Sequence, residues 1–420
     1  MFRFIHAADV HLDSPLLGLE RYEGAPVDRA RDATREALRS VVNLAIAEQA
    51  AFVLIAGDLF DGDWKDYNTG LFLAGEMSKL REAGIRVFVV AGNHDAASQI
   101  SRHLCLPENV HRFAARKTET ILLDDVGVAI HGRSFASRAI TENLAREFPP
   151  ATPGCFNIGL LHTSVAGYAG HEPYAPCSLA DLLGRLYDYW ALGHVHTRQV
   201  LSAEPWVVFP GNTQGRNVRE TGPRGCSVVT VDDGTVSVEH RDVDVLRWAV
   251  LDLDAADCAA PEDVIDLLRT KLGLLLKTCD DRPLACRVLV SGRCRAHREL
   301  SAQPERWTNE IRQAASDESG GAAWIEKVQL RTSVHVDLDE LAGRADPIGD
   351  LIRFARDASA DPGQLASLAG ELADLRSKLP AELREGGDAL DLENPEAIRD
   401  LLDAARHLLI PRLLSQGDEP

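Results

Sequence analysis

Five times in the first 200 residues, an apolar run of strand length stops at a small group of Asp, Asn, His and Gly. Asp9-Val10-His11 follows Phe2–Ala8. Gly57-Asp58-Leu59-Phe60-Asp61 follows Phe52–Ala56. Gly92-Asn93-His94-Asp95 follows Arg86–Ala91. His162 closes Phe156–Leu161, and Gly193-His194-Val195-His196 follows Tyr189–Leu192. Continuous apolar runs of this length are the pattern of strands buried on both faces. Helical patterns at Asp28–Ala50 and Thr69–Ala83 separate the first three runs. Further strands are expected at Val126–His131, Trp206–Phe209, Cys226–Val231 and Val236–Val243. An α/β sandwich is the natural solution for that order.

The polar groups lie where such sheets place ligand sites, at strand carboxyl ends converging on one crevice. Strand alternation would put Asp9 with His11, and His194 with His196, on a common side. Glycines 57, 92 and 193 would let the backbone turn sharply and approach the site. The donors are oxygen and nitrogen without thiolate, which suits Mn, Fe, Zn or Co. Seven such groups exceed what one ion needs and fit two, held roughly 3.5–4 Å apart by a shared carboxylate.

Taken together, these motifs resemble the calcineurin-like metallophosphoesterases (D-x-H, G-D-x-x-D/H, G-N-H-D/E, H, G-H-x-H). Each motif is weak alone; all five in this order are specific. The resemblance implies a four-layer sandwich of mixed sheets with flanking helices. It implies that Asp9, His11 and His196 bind one metal, that Asn93, His162 and His194 bind the other, and that Asp58 bridges. It makes His94 a proton donor or charge stabiliser near the leaving oxygen, with Asp95 orienting it. A hydroxide shared by two divalent ions, Mn(2+) foremost, would attack phosphorus in line. Asp61 reads either as a residue supporting the ligands or as a loop cap, and Asp13 as a turn former.

The flanks Phe4–Pro15, Gly57–Asp61 and Pro210-Gly211-Asn212-Thr213-Gln214-Gly215-Arg216 are similar to the bacterial DNA-repair exonuclease branch, YhaO-type proteins related to the SbcD nuclease subunit. That branch implies a DNA phosphodiesterase, an exonuclease with endonuclease activity open, and an SMC-like ATPase partner. Asp61 stands where several nucleases of the wider group have His. Arg216 reads as a phosphate-binding residue or as a solvated loop arginine. A small-molecule phosphoester is the alternative substrate, because one fold hosts many phosphoesterases.

Three regions are expected: 1–245, the metal-binding domain; 246–340, a small α+β capping domain; and 341–420, a helical region that docks on a partner or on the chain itself. Within the second, strands Trp248–Leu253, Ala285–Gly292 and Ala323–Leu330 alternate with helices Pro261–Leu276 and Gln303–Ala315. The net charge of −19 does not exclude nucleic acid. Acid concentrates in Asp337–Pro420, with 19 acidic against 9 basic residues, and bound cations would offset charge at the site. Eight scattered cysteines without a CxxC pair argue against a zinc ribbon or disulfide scaffold. They fit reduced thiols in a cytoplasmic protein. No leader or membrane span is expected. The oligomeric state stays open, a homodimer included.

Overall fold

The computed structural model describes the chain except residues 15, 17–26, 62–66, 98–104, 167–173 and 335–340, and beyond 372 it describes only scattered residues. Much of the helical tail read from the sequence therefore lies outside the described residues. Two compact units form. One comprises Met1–Val250, Gly273–Arg287 and Ser319–Lys327; the other comprises Leu251–Leu272, Val288–Glu318 and Val328–Pro420.

The first unit contains two six-stranded sheets. One contains β1 (Phe2–Ala7), β2 (Phe52–Ala56), β3 (Arg86–Val90), β4 (Val110–Arg112), β11 (Gly225–Asp232) and β12 (Thr235–Asp242), in the order β12-β11-β1-β2-β3-β4. The other contains β5 (Glu119–Leu123), β6 (Val128–Arg133), β7 (Phe156–His162), β8 (Tyr189–Gly193), β9 (Gln199–Ala203) and β10 (Trp206–Phe209), in the order β5-β6-β7-β8-β10-β9. Both are mixed: β1-β2-β3-β4 and β6-β7-β8-β10 run parallel, while β11 and β9 pair antiparallel.

Strand alternation builds the layers. Phe4, Phe52, Leu54 and Phe88 of the first sheet meet Val128, Ile130, Ile158, Leu160 and Tyr189 of the second in one buried cluster. Phe4 and Phe52 stack there with ring centroids 5.0 Å apart. The opposite face of the first sheet, through Ile5, Val53 and Ile55, packs on α1 (Val27–Ala47) and α2 (Tyr67–Glu82) by way of Leu38, Val41, Leu73 and Met77. The outer face of the second sheet, with Leu161, Trp190, Leu192 and Phe209, is covered by Leu144, Phe148 and Leu182. This is the α/β sandwich that the order of elements predicts, in the four-layer form that the resemblance implies. Gly159 permits the close packing of the outer layer, since a Cβ there would lie 2.3 Å from the Trp190 ring.

A third sheet has the order β13-β14-β15, formed by Arg247–Asp254, Leu284–Cys294 and Ala323–Val334. Helix Pro261–Leu276 buries Val264, Leu268 and Leu272, and helix Pro304–Ser319 buries Trp307, Ile311 and Ala314. In the second unit, helices Pro347–Ala360 and Pro362–Glu371 each start on an Asp cap, Asp346 and Asp361. Among the described residues, no helix is long and apolar enough to cross a membrane.

Candidate metal centre

Parallel pairing aligns the carboxyl ends of β1, β2 and β3 in one sheet and of β7 and β8 in the other. The loops leaving β1 and β2 stay bonded beyond the strands: Asp9 N donates to Gly57 O at 3.1 Å, and His11 N to Asp58 O at 3.0 Å. β1, β2 and β8 stop short of the ligand groups, whereas β7 runs through His162. Asp9, His11, Asp58 and His194 have φ of 51°, 47°, 49° and 107°. Strand alternation is therefore not what gathers Asp9 with His11. Left-handed turns do so, at about 1–3 kcal/mol each for a residue with a Cβ. The glycines act as expected. A Cβ on Gly57 would sit 2.4 Å from His162 Nδ1, and one on Gly92 2.3 Å from Asp58 Oδ1.

Asp9, His11 and His196 present ligand atoms within 4.8 Å of one another, as do Asp9, Asp58 and His162, and also His11, Asp58 and His94. His11 Nε2 faces His196 Nε2 at 3.2 Å, and His162 Nε2 lies 3.4 Å from Asp58 Oδ2 and 3.0 Å from Asn93 Oδ1. The His194 ring stands 5.2 Å from that of His162, and its backbone N–H donates to Asp9 Oδ2 at 3.0 Å.

The donor set fits divalent cations. Asp9 and Asp58 are almost wholly buried, and buried carboxylates need a compensating positive charge. The pocket attracts one even from a buried imidazole: burial opposes protonation of His162, but Asp58 overrides it and holds the ring up to about 9. His11 is driven the other way, down to about 3, by burial and by the Arg216 charge, leaving a neutral lone pair suited to ligation. Burial, with Asp58 adding, pushes Asp9 upward. Burial pushes Asp58 up as well, but the neighbouring imidazoles, His162 foremost, outweigh it and hold Asp58 well below the carboxylate range.

His94 lies at the open side, 31% exposed, with Nδ1 2.9 Å from Asp61 Oδ1. That hydrogen bond raises its pKa. The orienting contact expected from Asp95 is thus made by Asp61, which also accepts from Ser14 Oγ at 2.8 Å. Asp95 accepts instead from the backbone N–H groups of Phe60, Gly92 and Leu59 at 2.9, 3.1 and 3.2 Å. It clamps the loop after β2 to the loop after β3. Burial and the Asp58 charge push its pKa up to about 6. Asp13, expected as a turn former, has φ 59° and is paired by both Arg35 Nε and Nη2.

Arg216 reaches the rim. Its Nη1 is 3.7 Å from Asp61 Oδ1, and its Nη2 is 3.2 Å from both Glu220 Oε1 and His196 Nδ1. Glu220 was not visible in the sequence. It sits in a polar turn with no motif, yet its Oε1 meets His196 Nδ1 at 2.7 Å.

The geometry has counterparts. Residues 2–198 match the family described as calcineurin-like phosphoesterase, and residues 248–333 match the family described as metallophosphoesterase YhaO, middle domain. The chain is 37% identical over 293 residues to the uncharacterized metallophosphoesterase YhaO of Bacillus subtilis, covering 69% of this chain and 71% of that protein. It is 29% identical over 283 residues to the DNA double-strand break repair protein Mre11 of Methanopyrus kandleri, covering 59% and 57%. With strand-end Asp, Asn and His groups gathered between two mixed sheets, and with this likeness to a metallophosphoesterase over 71% of its length, the chain belongs to the calcineurin-like metallophosphoesterase family.

Proposed function

We propose that this hydrolase cleaves phosphodiester bonds of DNA with two divalent cations, as an exonuclease with endonuclease activity open. The observation that carries the reading is the convergence of Asp9, His11, Asp58, His162 and His196, beside Asn93, next to a half-buried His94 held by Asp61. In this reading Asp9, His11 and His196 hold one cation, Asn93, His162 and His194 the other, and Asp58 both. The cations, for which manganese suits the donor set, supply Lewis-acid charge and a more acidic water.

The chain's own residues do the rest. Asp61 keeps His94 protonated toward higher pH, and His94 gives that proton to the departing sugar oxygen. Arg216 exchanges its carboxylate contacts for a non-bridging phosphate oxygen, a charge-assisted bond that its fork geometry favours. Asp95 holds the two loops that carry Asp58 and His94.

Two lines support DNA as the substrate: the motif flanks, and the likeness to a protein described as acting in DNA double-strand break repair. The same resemblance supports a capping role for 246–340 and docking of 341–420 on an SMC-like ATPase. The net charge of −19 favours a second reading, a small phosphoester as substrate.

The test is cleavage of end-labelled single- and double-stranded DNA by the purified protein with Mn(2+), alone and with its ATPase partner, with His94→Ala as control. Loss of cleavage in the variant, about 10²–10⁴-fold, supports the nuclease reading. Intact DNA under every condition, while an aryl phosphodiester is hydrolysed, moves the substrate to the small-molecule class.

A further inference from the structure

His196 is the last ligand in the chain, and its ring must turn Nε2 toward Asp9 and His11 to serve. Those atoms lie 3.9 Å and 3.2 Å from it. The opposite ring nitrogen, Nδ1, meets Glu220 Oε1 at 2.7 Å, a shorter contact than those behind His162 and His11. His162 Nδ1 has a neutral carbonyl behind it, Ala56 O at 2.9 Å. His11 Nδ1 lies 3.5 Å from Asp61 Oδ1.

A carboxylate can only accept, so the Nδ1 of His196 carries the ring proton and Nε2 presents its lone pair. Arg216 Nη2, 3.2 Å from both Nδ1 and Glu220 Oε1, then donates to the carboxylate. Glu220 is itself fixed: its Oε2 accepts from Arg216 N at 2.7 Å and from Asn212 Nδ2 at 2.8 Å. It is nearly buried, at 8% exposure, and four donors hold it. Burial would raise its pKa, but the bond to His196 and the charge of Arg216 keep it below the usual range.

We propose that Glu220 is a positioning residue for metal binding: its carboxylate fixes the tautomer and angle of the His196 ring, and so sets the affinity of the cation held by Asp9, His11 and His196. This rests on the reading of those three residues as ligands. Carboxylates behind ligating imidazoles raise their basicity and typically account for a 10–100-fold change in metal affinity. Because the ligand side chain that Glu220 meets is His196, its removal should weaken one of two binding steps. The other position, centred on His162, keeps its own backing from Ala56.

The experiment is Mn(2+) titration calorimetry of the full chain and of Glu220→Gln, with metal-free melting temperatures alongside. Gln cannot accept from all four donors, so the substitution removes the charge and misaligns the ring. The expected result is two steps in the unmutated chain, one of which falls roughly 10–100-fold in the variant while the other holds. Equal affinities in the two proteins overturn the proposal. So does equal weakening of both steps with a fall in the metal-free melting temperature, which would mark a merely structural glutamate. If the unmutated chain binds no Mn(2+), the metal reading itself fails, a different result from either.

A second measurement needs no variant. The imidazole ¹⁵N shifts of His196 in the metal-free chain should report the Nδ1–H tautomer, and an Nε2–H tautomer overturns the proposal even if Glu220→Gln does not fold.

Discussion

His94, on the short helix Asn93–Ala97, and Asp61, on the loop after β2, face each other at 2.9 Å, and the proton they share sets a pH dependence. The hydrogen bond to Asp61 raises the His94 pKa, so the protonated ring survives to higher pH than a free imidazole would. Asp61→Asn removes that support. The alkaline limb of the pH–rate profile should shift to lower pH in the variant, and an unmoved limb would take His94 out of the proton-donor role. His6 gives a second dependence with the opposite sign. It lies wholly buried beneath the site between Tyr189 Oη at 3.0 Å and Leu192 O at 3.2 Å, and burial lowers its pKa from 6.5 to about 3. Between those values the unfolded chain binds a proton that the folded chain refuses, so stability falls as pH drops from 6.5 toward 3. Denaturant unfolding of the metal-free protein from about pH 7 to pH 4 should show that loss, with a shallower slope in His6→Gln. At this scale the motifs pointed to residues that the structure brings together, but not to the contacts that orient them. Asp61 and Glu220 act across loops, and a contact of that kind leaves no periodic trace in the sequence.

Strand β8 ends on a glycine that the site cannot replace. A Cβ on Gly193 would stand 1.8 Å from Ala56 O and 3.1 Å from His162 Nδ1. The nearest atom is backbone, so relief requires moving one sheet against the other. Gly193→Ala should cost about 3 kcal/mol or more and weaken metal binding, readable by denaturation and Mn(2+) titration. Gly127, with φ 68° and nothing within 4 Å, is the control. Gly127→Ala should cost only about 1–2 kcal/mol of left-handed strain and leave metal binding alone. The buried elements were the legible ones. Phe52–Ala56, Trp206–Phe209 and Pro261–Leu276 have the bounds that their apolar patterns predict. β4, β5 and β9 went unread. They are short, lie at sheet edges and are half exposed, so burial imposes no strong pattern on them. The expectation that alternation aims Asp9 and His11 was wrong for a related reason: periodicity stops where the strand does, and turns then decide direction.

For the molecule as a whole, composition said less than order did. A charge of −19 describes the surface and is silent on a site whose acids are buried. The succession of strand-end motifs, by contrast, implied both sheets and the crevice between them. Partner docking remains to be tested on the tail, where helix Pro347–Ala360 exposes Leu351 and Phe354 and buries Ile352. A chain ended near residue 345 should keep Mn(2+) binding and aryl phosphodiester hydrolysis but no longer capture the ATPase in a pull-down. Capture by the shortened chain would assign the tail to self-packing.

The antiparallel pairing of β1 with β11, Phe2 against Val231, has a consequence for how the protein is made. On the ribosome, β1 can join β2 early, yet its other edge waits for roughly 220 more residues, about 10–45 s at ordinary synthesis rates. For that interval the nascent chain carries an unpaired, apolar strand edge, the kind of surface that invites association with another chain. Glu220 emerges only a few residues before β11. The nascent chain therefore covers the free edge of β1 and gains the carboxylate behind His196 at nearly the same moment, with almost half of its residues still to be made.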